Sequence, residues 1–189
     1  MRKRKISLLA SLSVLLLSLI ACTINVGGPA YPDQRVPVSS DASGELQGSI
    51  QTAVAEGAET GKISIEITQG ELTSFLAEYL KQQPEPVLSD PQVFLHSGQM
   101  QVYGTATQGY FQANIEIIIT AGVDDQGQLI IDVASADFGP FPVPAGLKNA
   151  VSATIQEAYT GSIGPAAVGF RLETITISEG SMLIDGRIK

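Results

Sequence analysis

From residue 99 to residue 138 the chain alternates apolar and polar side chains with a period of two, interrupted only by short turn sequences. In QMQVYGTAT, Met100, Val102, Gly104 and Ala106 share one face. In YFQANIEIIITAGV, Phe111, Ala113, Ile115, Ile117 and Ile119 share a face, with Gln112, Asn114 and Glu116 opposite and Ile118 breaking the polar series. Asp124-Asp125-Gln126-Gly127 supplies a turn, and QLIIDVASADF continues extended. Strands joined this tightly run antiparallel, because a parallel pair needs a crossover of about a dozen residues or more. The pattern is a meander and excludes a βαβ series.

The flanking segments predict the rest of an α+β domain. KISIEIT turns Ile63, Ile65 and Ile67 one way and Ser64, Glu66 and Thr68 the other, as a half-buried strand does. VFLHS is a further short strand, and FRLETITIS and SMLIDGRIK form a closing pair joined at Glu179-Gly180. A first helix over 44–56 places Leu46, Ile50, Ala53 and Val54 on one face, with Ser43 as its cap and Gly48 and Gly57 weakening it. A second, ELTSFLAEYLKQQ, repeats Leu72, Phe75, Leu76, Tyr79 and Leu80 at helical spacing. It opens at Thr68 or Gln69, carries Glu71 at its positive end, and stops before Pro84. Gly139-Pro-Phe-Pro-Val-Pro144 breaks the sheet, and a third helix is expected from Ala145 to about Tyr159, with Leu147, Val151 and Ile155 in its stripe. The expected fold is a curved antiparallel sheet of about five or six strands packed against two to three helices, with Gly104, Gly122 and Gly186 permitting bends.

Residues 1–21 read as an export signal. Four basic residues, Arg2 to Lys5, precede the apolar run Ile6–Ala21, and Cys22 follows, the only cysteine in the chain. Leu19-Ile20-Ala21-Cys22 looks like a bacterial lipobox, in which the thiol receives a diacylglyceryl group and the chain is cut just before it. A retained transmembrane helix competes, but the apolar run is short and holds four serines. Plain secretion is the other alternative. A disulfide within the chain is impossible with one cysteine. Thr23 stands where the inner-membrane retention signal of two-membrane bacteria has Asp. Residues 22–43 then read as the lipidated cysteine and a flexible linker, from which Tyr31 and Val36 are not expected to dock, and 44–189 as the folded domain.

Removing the signal leaves seven Lys or Arg against nineteen Asp or Glu. So acidic a surface argues against nucleic-acid binding, and the anchor rather than a basic patch supplies membrane contact. Little chemistry is on offer. His96 is the only histidine, beside Ser97, without a G-x-S-x-G elbow; it reads as a strand-end residue. Asp124 and Asp125 suit a hairpin turn better than a calcium loop. Asp132 and Asp137 are the one carboxylate pair to weigh for a hydrolase. No phosphate loop or dinucleotide fingerprint occurs, so no catalytic residue, metal site or cofactor is expected.

KISIEITQGELTSFLAEYL, VFLHSGQMQVYGTAT, DDQGQLIIDVASADFGPFPVP and LETITISEGSMLIDGRI, taken in order, resemble membrane-anchored bacterial lipoproteins of the YpmS-like and related envelope families. These are similar in turn to one half of a tubular lipid-binding domain of the bactericidal/permeability-increasing protein type. The likeness covers about residues 45–189, and its motifs are loose. It implies a helix packed in a curled sheet with room for a lipid or isoprenoid chain, and no catalytic set. By this resemblance the ligand-contact candidates are Phe75, Leu76, Tyr79, Ile117, Leu147, Val151 and Ile155. The function expected is non-enzymatic binding of a lipid or other hydrophobic ligand at the membrane. The alternative is an envelope scaffold that engages a protein partner and has a solid core.

Overall fold

The structure, a computed structural model, describes residues 23–84, 86, 88–145 and 170–188. Its elements are β1 (Ile24–Asn25), α1 (Ser40–Thr60), β2 (Lys62–Thr68), α2 (Gln69–Lys81), β3 (Ser89–His96), β4 (Gln99–Gln108), β5 (Phe111–Val123), β6 (Leu129–Asp137), β7 (Phe170–Ile177) and β8 (Ser181–Ile188). The fold is α+β, with a curved, partly mixed sheet packed against two helices. The third helix expected from Ala145 to about Tyr159 lies, beyond its first residue, outside the described residues.

The expected meander is present as β3-β4-β5-β6, with each neighbouring pair antiparallel. β1 adds a short parallel pairing beside Phe111 and Gln112, on the same edge of β5 that β6 occupies further along. The remaining strands do not join this sheet. β2, β8 and β7 form a second, three-stranded one in which Ile63 pairs with Gly186, Ile65 with Ile184 and Ile67 with Met182. One expected sheet is thus two, since alternation reports which face of a strand is buried and says nothing of which strand it pairs with. The bends fall partly where glycine was expected to permit them. A register shift on β7 between Leu172 and Thr174 lies opposite Gly186 and Asp185. Gly104 has a packing role: a Cβ there would stand 2.7 Å from Leu88 Cδ1 and 3.1 Å from the Ser89 carbonyl oxygen.

Both helices are longer or differently aimed than their sequences suggest. α1 begins four residues before Gly44 because Ser39, not Ser43, is the cap; its hydroxyl accepts from the Asp41 amide at 3.1 Å. It ends at Gly61, whose φ of 74° is the left-handed stop that glycine adopts without strain. Gly57 lets the last turn close on β2, for a Cβ there would sit 2.3 Å from Ile63 Cγ1. α2 starts in a capping box: Thr68 Oγ1 accepts from the Glu71 amide at 3.2 Å, and the Glu71 carboxylate accepts from the Thr68 amide at 2.7 Å.

Two apolar cores result. Leu46 and Ala53 of α1 pack with Ile63, Ile65, Ile67, Leu95, Leu172, Ile177 and Met182. Leu80 of α2 joins Val93, Val102, Ala106, Ile115, Ile117, Ile119 and Phe138 on the inner face of the larger sheet. Leu72 and Met100 touch both. Each such side chain taken wholly out of water contributes about 1.5–3 kcal/mol.

α2 does not bury the face its apolar stripe suggests. Thr73, Ser74, Ala77 and Leu80 are buried, whereas Phe75 and Tyr79 are 36% and 38% exposed. The helix lies against the edge of β3, and an edge carries unpaired backbone groups that must find partners. Thr73 Oγ1 accepts from the Val93 amide at 3.0 Å and Gln69 Oε1 from the Leu95 amide at 3.4 Å. The Gly180 amide, in the β7–β8 turn, donates to the Leu95 carbonyl at 2.9 Å. Thr73→Val keeps the shape but leaves the buried Val93 amide without its acceptor. It should cost about 1–3 kcal/mol in chemical denaturation, whereas Thr73→Ser, which keeps the acceptor and loses one buried methyl, should cost about 1 kcal/mol or less.

Residues 24–39, expected to be linker, run along the fold as a strap. The Ile24 and Val26 amides donate to the Tyr110 and Gln112 carbonyls, each at 2.8 Å, and the Asn114 amide donates to the Gly27 carbonyl at 2.9 Å. Gly28, at φ 111°, presses on β5 so closely that a Cβ would meet the Asn114 oxygen at 2.1 Å. The strap then crosses to β3. The Tyr31 hydroxyl donates to the Asp90 carbonyl, the Arg35 guanidinium lies 4.4 Å over the Tyr31 ring and pairs with the Asp90 carboxylate, and Val36 is buried. Buried Gln92 reads Val36 like a neighbouring strand, accepting from its amide at 2.6 Å and donating to its carbonyl at 3.3 Å. Tyr31 and Val36 therefore dock, held by partners more than fifty residues away in sequence.

Tyr31 and Tyr103, with ring centroids 6.1 Å apart, form the middle of that contact. Burial pushes the Tyr31 phenol up to about 12, helped by the Asp90 charge and opposed by Arg35. Burial, then the hydrogen bond to Glu116 and its charge, pushes Tyr103 up to about 12. A folded-state value above the unfolded one of about 10 means that this contribution is complete below pH 10. It is lost as pH rises towards 12. The strap should therefore become protease-sensitive between pH 10 and 12, while Tyr31→Phe should flatten that transition.

Candidate functional site

The ligand-contact candidates divide. On α2, Phe75 and Tyr79 are one turn apart and their rings stack, with centroids 6.5 Å apart and an interplanar angle of 18°. Leu76 beside them is half-buried against the core of the larger sheet. Ile117 is only 4% exposed and packs among the core side chains of the larger sheet. Leu147, Val151 and Ile155 lie outside the described residues, as does Cys22. The structure thus brings Phe75, Leu76 and Tyr79 together at the surface and places Ile117 in the interior.

A surface cleft of about 460 Å³ opens at the other end of the meander, between the β5–β6 turn and β7. Its lining includes Asp124, Arg171, Glu173 and Arg187. Arg187 Nε pairs with Glu173 at 2.6 Å, and Arg171 donates to the Asp125 carbonyl at 3.2 Å. Gly127 makes room for Arg171, whose Cγ would be 2.5 Å from a Cβ there. A cleft whose charges already face each other suits water and small polar groups, not a hydrocarbon chain.

The polar clusters weighed in the sequence resolve into structural roles. Ser97 Oγ lies 2.9 Å from His96 Nδ1, and Glu179 Oε1 lies 3.3 Å from the same nitrogen. A nucleophile relay needs the hydroxyl on one ring nitrogen and the carboxylate on the other, so the three cannot act as a triad. His96 is an exposed strand-end residue, and Ser97 and Gly98, at φ 53° and 77°, form the β3–β4 turn. Asp124 Oδ1 accepts from the Gln126 and Gln128 amides at 2.9 and 2.7 Å, the turn role expected of it. Asp132 and Asp137 are five residues apart along β6. At about 3.4 Å per residue that is about 17 Å, beyond the separation of a glycosidase carboxylate pair. Among the described residues no group of three or more His, Cys, Asp or Glu could hold a metal ion, and no helix is long and apolar enough to cross a membrane.

No known protein family, curated protein or solved structure matches the chain. The strap and the polar backing of α2 escaped the sequence reading, because Tyr31, Gln92 and Thr73 acquire their roles only from distant partners. One signal for the strap was present: Gly27-Gly28-Pro29, a pair of glycines that allows the backbone to approach β5 closely.

Proposed function

We propose that the chain is a non-enzymatic domain of the bacterial cell envelope, tethered by lipidated Cys22, that binds a lipid or other hydrophobic ligand against α2. The observation that carries this reading is the Phe75–Tyr79 stack. Two aromatic rings held parallel at the surface, with Leu76 behind them, present an apolar face that water solvates poorly and that an acyl or isoprenoid chain would cover. The coarse half-barrel of helices on a curved sheet supports relating the domain to one half of a tubular lipid-binding domain and to the YpmS-like lipoproteins, a fold-level analogy only. The scaffold reading in its simplest form needs an open sheet edge for strand addition. The β3 edge is taken by Thr73, Gln69 and Gly180, which weighs against that form there.

The test is a photoreactive fatty acid in vesicles carrying the intact protein, with adducts mapped by peptide mass spectrometry. Adducts are expected on the segment spanning residues 69–81, falling about tenfold or more in a Phe75→Ser/Tyr79→Ser double variant. Adducts absent from that segment would refute ligand binding at α2.

A further inference from the structure

The β4–β5 hairpin tip lies beside the point where the chain leaves for Cys22. Ile24 and Val26 are bonded to the Tyr110 and Gln112 carbonyls, so the start of the strap is fixed to the tip. Only Thr23 separates Ile24 from Cys22. Two peptide units span at most about 7 Å between Cα atoms. On the anchor reading above, on which this inference rests, a lipidated Cys22 cannot hold the domain at a distance. Whatever surrounds Ile24 must lie at the headgroups.

What surrounds it is uncharged and carries several large apolar side chains among neutral polar ones. Ile24, Tyr110 and Phe111 are 53%, 61% and 46% exposed, and Val26 is exposed beside them. Residues 23–32 and 97–115, which build the tip and the first part of the strap, contain no Asp, Glu, Lys or Arg, in a chain of formal net charge -8. An acidic domain brought to a membrane has reason to keep its carboxylates away from the contact and to offer large apolar and aromatic side chains there. Tyr and Phe at a hairpin tip suit the headgroup boundary, where rings rest against acyl chains and a hydroxyl stays wet.

We propose that Ile24, Val26, Tyr110 and Phe111 form a membrane-contact surface, so that the β4–β5 tip seats in the bilayer that holds Cys22 and fixes the domain's orientation. A lipidated cysteine then sets attachment, and the tip sets which way the domain faces. β5 runs away from that surface, and the Arg171–Arg187 cleft, lined by Val123 at its far end, is held in the water phase.

The chain has no tryptophan, so a single introduced one reports its own surroundings. The mature lipidated protein carrying Phe111→Trp would be reconstituted in neutral phosphatidylcholine vesicles with brominated acyl chains. Its partner variant is Ile130→Trp, exposed and eleven positions along β5 in pairing register, where Ile130 faces Gly122. The expected result is a blue shift and at least twofold bromine quenching for Phe111→Trp and neither for Ile130→Trp. Vesicle-bound protein in which both variants are equally unquenched would overturn the proposal and leave the anchor standing. Protein that stays off the vesicles would overturn the anchor reading and the proposal with it.

Discussion

Replacing Cys22 with alanine is expected to remove the protein from the membrane fraction. From Cys22 onward the chain carries seven Lys or Arg against nineteen Asp or Glu, little positive charge with which to hold anionic lipid, and four exposed side chains at and beside one hairpin tip give weak, reversible contact at most. Lipidation adds about 0.8 kcal/mol per buried methylene, so two or more acyl chains hold where the tip alone does not. Fractionation with and without Cys22→Ala checks this, together with the intact mass. The wild-type mass should show cleavage before Cys22 and an added diacylglyceryl group, and the variant should show neither. A variant that remains in the membrane at wild-type level would favour a retained apolar helix over Ile6–Ala21.

Leu95→Ala is expected to be the most damaging single core change. Leu95 is 1% exposed, the most enclosed large side chain of the core that joins α1 to the three-stranded sheet. It is also where the two sheets meet, for its carbonyl accepts from Gly180 of the β7–β8 turn and its amide donates to Gln69 of α2. Removing the side chain forfeits its transfer energy and leaves a cavity walled by both sheets and a helix, which cannot all collapse together. A cost of about 3–5 kcal/mol follows. For a domain of this size that lowers the melting temperature by about 10 °C or more. Ile175→Ala, at a half-buried position on β7, should cost clearly less. Equal losses at both positions, measured by thermal and chemical denaturation, would contradict this account of the core.

What could be read from the chain depended on whether a residue's role is local. Ile63, Ile65 and Ile67 are buried as their alternation requires, and Thr68 caps α2 with Glu71 three residues on, because strand faces and helix caps are written in neighbouring residues. The orientation of α2 was not local. Its apolar stripe suggested that Phe75 and Tyr79 face the core, but docking on the β3 edge placed the hydrogen-bonding residues Thr73 and Ser74 inside and left the rings outside. The same holds for the strap, where Gln92 and Asp90 bind Val36, Tyr31 and Arg35 across more than fifty residues. The candidate site changed in kind for this reason. Phe75, Leu76 and Tyr79 are a surface feature, while Ile117 belongs to the buried core of the larger sheet. The tip followed a similar course: Phe111 shares the strand face of Ala113 and Ile115, yet it is the first residue after the turn and is exposed where they are buried.

Native mass spectrometry of the intact protein, released gently from its membrane, tests the central claim most directly. The account predicts a population heavier than the covalently lipidated chain by the mass of a non-covalently held lipid, reduced in the Phe75→Ser/Tyr79→Ser variant. A folded protein carrying only its covalent anchor would contradict it.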